Sequence, residues 1–190
     1  MRLFIAIPLP AAARRSLGAL QAALAGAQPG PDVKWVEPDK LHLTLKFLGE
    51  RPDPEVAAIR DALADAARAS PRFRVALGPT GGFPSMAAPR VVWVGLAEGE
   101  GPVSALAGRI DAAGRRLGWP AEDRPFSAHL TIGRVRSPRG RAMLVRALRE
   151  ARWQPPAPWE CGVVGLYRSQ LSPSGPRYTA LAELPLEDRH

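Results

Sequence analysis

The 190 residues include three histidines and four threonines, and two of the histidines stand in one pattern, His42-Leu43-Thr44-Leu45 and His129-Leu130-Thr131-Ile132. At ordinary residue frequencies a given histidine has Leu next and Thr two places on roughly once in several hundred cases. Accident does not explain two of three. On an extended chain, residues two apart share a face. His42 and Thr44 therefore project together, as do His129 and Thr131, while Leu43, Leu45, Leu130 and Ile132 point the other way into a core. Each segment offers one imidazole and one hydroxyl to the same space. An imidazole pKa near 6.5 lets one ring be neutral while the other is protonated, the condition for paired base and acid catalysis. Such a pair can work on opposite sides of a phosphorus centre without a metal, the hydroxyls donating to non-bridging oxygens. Two imidazoles with no accompanying Asp, His or Cys cluster make a poor metal site. The residues around the two rings are so alike that acid and base cannot be told apart from them. His190, at the C-terminus, is expected to fray and take no part.

The elements that must position these groups are legible from periodicity. Leu3–Ile7 reads as a buried strand closed by Pro8 and Pro10, and Ala11 to Ala25 as a helix with Leu17, Leu20 and Leu24 inward and Gly26 as its stop. Gln28-Pro29-Gly30-Pro31 is a turn, followed by an extended Val33–Val36 and the strand Leu41–Phe47. Asp53 and Pro54 suit the N-cap and first position of a helix carrying Val56, Ile59, Leu63 and Ala67. Arg72–Leu77 alternates as a half-buried strand, Gly78 to Pro89 is expected as a loop, and Val91–Leu96 is an apolar strand. A third helix carries Val103, Leu106, Ile110 and Leu117 inward and stops at Gly118. Ala128–Ile132 is the second histidine strand. Ser137-Pro138 is expected to cap a fourth helix with Leu144, Leu148 and Ala151 inward, before strands near Gly162–Tyr167 and Tyr178–Leu184. Strand, helix, histidine strand and helix thus recur in each half. The class is α+β, with two lobes of similar build facing each other.

Composition narrows the chemistry. Of 26 basic residues 23 are arginine, asparagine is absent, and the net charge is +8. GC-rich coding accounts for the arginine and alanine, and leaves the net charge standing. A pI near 10.9 suits a phosphate-bearing partner. The single Cys161 excludes an internal disulfide and a thiolate-rich metal site. No apolar run reaches membrane-spanning length, and the start lacks a signal-peptide pattern, so a cytoplasmic protein is expected.

The sequence also resembles the two-histidine (2H) phosphoesterases, and among them the bacterial and archaeal RNA 2′,3′-cyclic phosphodiesterases, long named 2′-5′ RNA ligases. The duplicated His-x-Thr-x carries the likeness at 42–45 and 129–132. It extends through Arg2–Ala6, Lys34-Trp35-Val36, Leu41 to Gly49, Gly82-Phe83-Pro84, Pro89–Gly95, Leu166–Ser169 and Gly175–Tyr178. Ala128 departs from a proline frequent in the family, at no cost to a catalytic atom. The resemblance implies a bilobal fold of two α+β lobes around a cleft, residues 1–190 forming a single catalytic domain with one motif per lobe. It implies hydrolysis of an RNA 2′,3′-cyclic phosphate end to a 2′-phosphate, with no cofactor and no metal. His42 would then be the proton donor to the 3′ oxygen and His129 the proton acceptor from water. Thr44 and Thr131 would hold the phosphoryl oxygens, with Arg134 as their charged partner. Strict alternation puts Arg134 on the face opposite His129, unless Gly133 permits a bulge that turns it inward. Lys46 shares the parity of His42 and Thr44 but is expected to be a solvated strand-end lysine. Phe47 and Trp93, which could stack on a base, are expected in the core. Arg90 has no assigned place.

Partners implied are RNA ends or nucleotides bearing a 2′,3′-cyclic phosphate, with no membrane, and the chain is expected to be a monomer. The same site could join a cyclic end to a 5′ hydroxyl, although water in vast excess favours hydrolysis. A non-catalytic RNA-binding module would have no use for two imidazole–hydroxyl pairs.

Overall fold

The computed structural model describes residues 1–26, 31–119, 125–173 and 175–188. Its elements in chain order are β1 (Arg2–Pro8), α1 (Ala11–Ala25), β2 (Val33–Trp35), a 3-10 turn (Pro38–Lys40), β3 (His42–Glu50), α2 (Glu55–Arg68), β4 (Phe73–Phe83), β5 (Val91–Glu98), α3 (Glu100–Arg116), β6 (Leu130–Val135), α4 (Arg141–Glu150), β7 (Trp159–Cys161), β8 (Val163–Ser172) and β9 (Gly175–Pro185). The fold is α+β. One sheet runs β3-β1-β8-β9 and the other β2-β6-β5-β4-β7, every neighbouring pair antiparallel.

The two halves are interwoven. β1-α1-β3-α2-β4 and β5-α3-β6-α4-β8 repeat one order, yet the last strand of each unit pairs with the first strand of the other: β4 with β5, and β8 with β1. The helices cross over as well. α3 packs on β3 and α1 packs on β6. A continuous core therefore ties both sheets together, through Leu3, Ile5, Leu43, Leu45, Leu106, Leu130 and Ile132, all buried. At about 25 cal/mol per Å² of apolar area removed from water, each such side chain contributes about 1.5–3 kcal/mol before entropy is counted.

Several expectations need correction. The second histidine strand begins at Leu130, so Ala128 and His129 stand just before it, and Ala151 falls beyond the last residue of α4. β4 continues through Gly78 to Phe83, because Thr80 to Phe83 pair with Val94 to Val91, so only the rest of that stretch is loop. α2 starts at Glu55, one residue later than expected, and Asp53 makes no capping hydrogen bond; it lies 4.0 Å from the N-terminal amine. α4 starts at Arg141 after Gly140 in the left-handed region, while Ser137 Oγ only accepts from the Arg139 amide, at 3.3 Å. Leu117 falls beyond the end of α3 and is 41% exposed. Gln28 to Gly30 of the expected turn, and His190, lie outside the described residues.

Candidate active site

β3 and β6 present the two histidine motifs and approach one another in space, one from each sheet. The alternation read from the sequence holds over both motifs: Leu43, Leu45, Leu130 and Ile132 are at most 5% exposed, while Thr44 and Thr131 are half-buried on the other face.

Immediately after each threonine the alternation breaks. Ala6 pairs with Thr44 but Ile5 with Lys46, so Leu45 is an extra residue in β3. Trp93 pairs with Thr131 but Val92 with Gly133, so Ile132 is an extra residue in β6. A bulge of this kind puts two successive residues on one side and restores the other side a step later. Leu45 and Lys46 both turn inward, as do Ile132 and Gly133, and Phe47 and Arg134 come back onto the motif face. That settles the parity of Arg134, which strict alternation had placed on the wrong side. Gly133 contributes by lacking a side chain, since a Cβ there would lie 2.8 Å from both Trp35 and Val33.

The two bulges are held from outside their own half. Lys46, only 4% exposed, donates to Asp111 Oδ1 of α3 at 2.8 Å, and Arg115 reaches Asp111 Oδ2 at 2.8 Å. Hydrogen bonding from Lys46 holds the Asp111 carboxyl below the usual carboxylate range; burial works against this and Arg115 adds to it. At the other bulge, Gln21 of α1 gives Nε2 to the Ile132 carbonyl at 2.8 Å and to the Val36 carbonyl at 2.6 Å. The solvated placement expected for Lys46 is therefore incorrect. Phe47 is likewise displaced from its expected core position: it is 64% exposed, 6.4 Å from Phe4, on the side where Phe4 meets His42. Trp93 is half-buried and faces His129 at 6.4 Å, its ring laid across Gly81, where a Cβ would lie 2.1 Å from it. Arg90 is exposed, and its carbonyl accepts from the Val135 amide at 2.9 Å.

The imidazoles are fixed in matching ways. His42 Nδ1 lies 2.8 Å from the Lys40 carbonyl and His129 Nδ1 lies 2.8 Å from the Ser127 carbonyl. A carbonyl can only accept, so each Nδ1 carries the proton and each Nε2 is left to do chemistry. A neutral ring is then a base at Nε2, and a charged ring an acid at the same atom. Aromatic groups flank both: Phe4 at 4.8 Å and Tyr178 edge-on at 5.4 Å beside His42, Phe83 edge-on at 5.0 Å beside His129. Burial in this surround pushes the His42 pKa below the ordinary histidine value, with the Lys40 carbonyl pulling the other way. Burial also pushes the Tyr178 hydroxyl up, while the positive charges of Lys40, Arg134 and Arg2 counter it. Arg134 of the second sheet thus acts across to a tyrosine that touches His42 of the first. Among the described residues, no three His, Cys, Asp or Glu side chains gather as metal ligands.

Tyr178, Gln21 and Asp111 escaped the sequence reading. Gln21 left a trace, standing between Leu17 and Leu24 at the spacing of an inward helix face; Asp111 directly follows inward Ile110.

Two interwoven α+β halves, each presenting an imidazole and a hydroxyl at the start of its motif strand, β3 or β6, define a two-histidine phosphoesterase. Residues 7–93 and 94–178 each match the family described as LigT like Phosphoesterase, and the chain belongs to it. It is 36% identical to the RNA 2′,3′-cyclic phosphodiesterase of Thermus thermophilus, over 100% of this chain and 92% of that one. It is 34% identical to the enzyme of that name from Methanothermobacter thermautotrophicus, over 94% and 95%. The crystal structure of TT0787 of Thermus thermophilus superposes with a TM-score of 0.77, at 34% identity and full coverage of both chains. Escherichia coli LigT complexed with 3′-AMP gives 0.76 at 28% identity, over 97% of each chain. No helix among the described residues is long and apolar enough to cross a membrane.

Proposed function

We propose that this protein hydrolyses RNA 2′,3′-cyclic phosphate ends to 2′-phosphates, without a metal, through His42 as proton donor and His129 as proton acceptor. The observation that carries the reading is the matched tethering of the two rings, each with Nδ1 on the carbonyl two residues earlier and a threonine two residues later. The relatives' shared name supplies the substrate class.

Water attacks phosphorus and gives its proton to His129 Nε2; the P–O3′ bond breaks, and O3′ takes the proton held on His42 Nε2. Solvent then returns both rings to their starting states. Thr44 and Thr131 donate to the non-bridging oxygens while Arg134 offsets their charge. Burial favours neutral His42 in the free protein, and the phosphodiester anion drawn against Nε2 favours the charged form the donor needs. The chain acts as one bilobal catalytic unit, as a monomer in the cytoplasm where RNA ends arise. Joining of the cyclic end to a 5′ hydroxyl is the same chemistry with water replaced, and is the minor course in dilute solution.

The test is to incubate the pure protein, in EDTA, with an RNA ending in 2′,3′-cyclic phosphate and to identify the product. A 2′-phosphate end is expected. A 3′-phosphate end, an untouched cyclic end, or activity that requires an added divalent ion contradicts the proposal.

A further inference from the structure

Beside His42 the first sheet opens a cavity of about 300 Å³, with Phe4, Lys40, His42, Tyr167, Tyr178 and Glu183 among its walls. That volume is at the small end of pockets that hold organic ligands. We propose that it receives the terminal nucleobase of the RNA, and that it prefers guanine.

The placement rests on the acid and base roles proposed above. Attacking and leaving oxygens lie roughly in line through phosphorus. Water enters from His129, so O3′ and the ribose that bears it lie toward His42, and the base attached to that ribose extends into the space beyond. That space is this cavity.

The preference follows from the wall. Tyr167 leans back over Gly165, where a Cβ would lie 2.5 Å from its ring, and its hydroxyl donates to Glu183 Oε1 at 3.3 Å. Burial, with the Glu183 charge adding to it, pushes the Tyr167 hydroxyl pKa up to about 12, so it remains a donor. Glu183 sits directly across from Gly165 in the β8–β9 pairing, and its second oxygen has no partner among the described residues. The wall carries two cations, Arg14 and Lys40, balanced by two carboxylates, Asp39 and Glu183, so it has no net positive charge to draw a second phosphate, and the exposed Glu183 carboxylate presents an acceptor to N–H donors. Guanine offers two adjacent donors, N1–H and the N2 amine, that match a carboxylate side by side; adenine and cytosine offer one amine. Uracil flanks its single N–H with two carbonyls that face the carboxylate unfavourably.

The experiment compares kcat/KM for four short RNAs that differ only in the terminal nucleoside bearing the cyclic phosphate. The guanosine end is expected to exceed the uridine end by about 10- to 100-fold, the scale of one or two hydrogen bonds to a charged group. In Glu183→Gln that ratio should fall to within about threefold. Misfolding of the variant would lower all four ends together and leave the ratio of the residual activity intact, so the ratio reads the contact itself. Equal rates for the two ends in the unaltered protein, or an unchanged ratio in Glu183→Gln, overturn the proposal. Turnover of no end overturns the hydrolase reading instead, and calorimetry then decides the pocket. Tighter binding of guanosine 2′-phosphate than uridine 2′-phosphate, abolished in Glu183→Gln, supports it; equal binding rejects it.

Discussion

Lys46 Nζ and Asp111 Oδ1 lie 2.8 Å apart, joining the strand of one histidine to the first helix of the other half. Lys46 turns inward only because Leu45 is an extra residue, and the same bulge restores Phe47 to the face of His42 and Thr44. The pair thus ties the geometry of one motif to the packing of the opposite half. Gln21 and the Ile132 carbonyl do the corresponding work at the second motif.

Asp111→Asn is expected to destabilise the fold by about 3 kcal/mol, the lower end of the range for removing one partner of a buried pair, because Asp111 keeps 21% exposure. Lys46→Met combined with Asp111→Leu should cost less than Asp111→Asn alone. The sign with pH follows from the lowered Asp111 pKa: its contribution is present above the unfolded carboxylate value near 3.9 and disappears as pH falls through the folded value. Urea unfolding of the variants between pH 7 and pH 2.5 checks both statements. A double variant less stable than the single would contradict the pairing.

Much of the site was legible because its signal is local. Two residues apart on an extended chain means one face, and the structure keeps that alternation for His42 and Thr44 in β3 and for Thr131 in β6, with His129 standing one residue before β6 begins. Lys46 and Phe47 were misplaced for one reason: a bulge is a relation between two strands, and Leu45 looks like any other alternating leucine until β1 lies beside it. The exchange of β4 and β8 between sheets is non-local for the same reason. Gly78–Phe83 read as a loop because its Gly and Pro residues disfavour a strand locally, but pairing with β5 carries the strand through. Tyr178 lies in a segment that resembles the family, yet only the β8–β9 hairpin brings its ring to His42.

For free protein and substrate, the pH profile of kcat/KM should be bell-shaped, its acid limb lying below pH 6.5. The sign is direct. The inactive species on the acid side carries protons on both rings, and burial makes the second proton on His42 harder to add. In kcat the limb should move upward, since the bound phosphate anion favours charged His42. Initial rates between pH 4.5 and 9 supply both profiles, and an acid limb of kcat/KM above 6.5 contradicts the placement of His42 in its aromatic surround.

Thr44→Ala and Thr131→Ala should each raise the barrier by about 1.5–3 kcal/mol, one hydrogen bond to a charged oxygen, roughly 10- to 100-fold in kcat/KM. Arg134→Ala should weaken binding of substrate and transition state together, and reduce the salt dependence of KM by about one phosphate contact. Steady-state kinetics from 50 to 300 mM salt separate the two effects. An Arg134→Ala enzyme with unchanged salt dependence would place that guanidinium away from the phosphate.

Gly81→Ala and Gly165→Ala displace different aromatic walls, since their added methyl groups meet the Trp93 and Tyr167 rings respectively. Gly81→Ala should disturb the His129 side and Gly165→Ala the His42 side. Proton NMR of the two imidazoles reads this directly: each variant should shift the resonances of its own histidine and leave those of the other near their starting positions. Equal shifts of both rings in either variant would show the two walls to be one structure.

The division of labour between the rings is tested most directly by changing the leaving group. On the natural cyclic end, His42→Ala and His129→Ala should each lose about 10²–10⁴-fold in kcat, and the double variant far less than the product, since the pair acts as a unit. On a phosphodiester whose leaving group is p-nitrophenol, which departs without a proton, His42→Ala should recover to within about tenfold of the unaltered protein while His129→Ala stays impaired. Recovery of His129→Ala in place of His42→Ala would reverse the two roles. Undiminished activity of both variants on the natural end would contradict acid–base catalysis by this pair altogether.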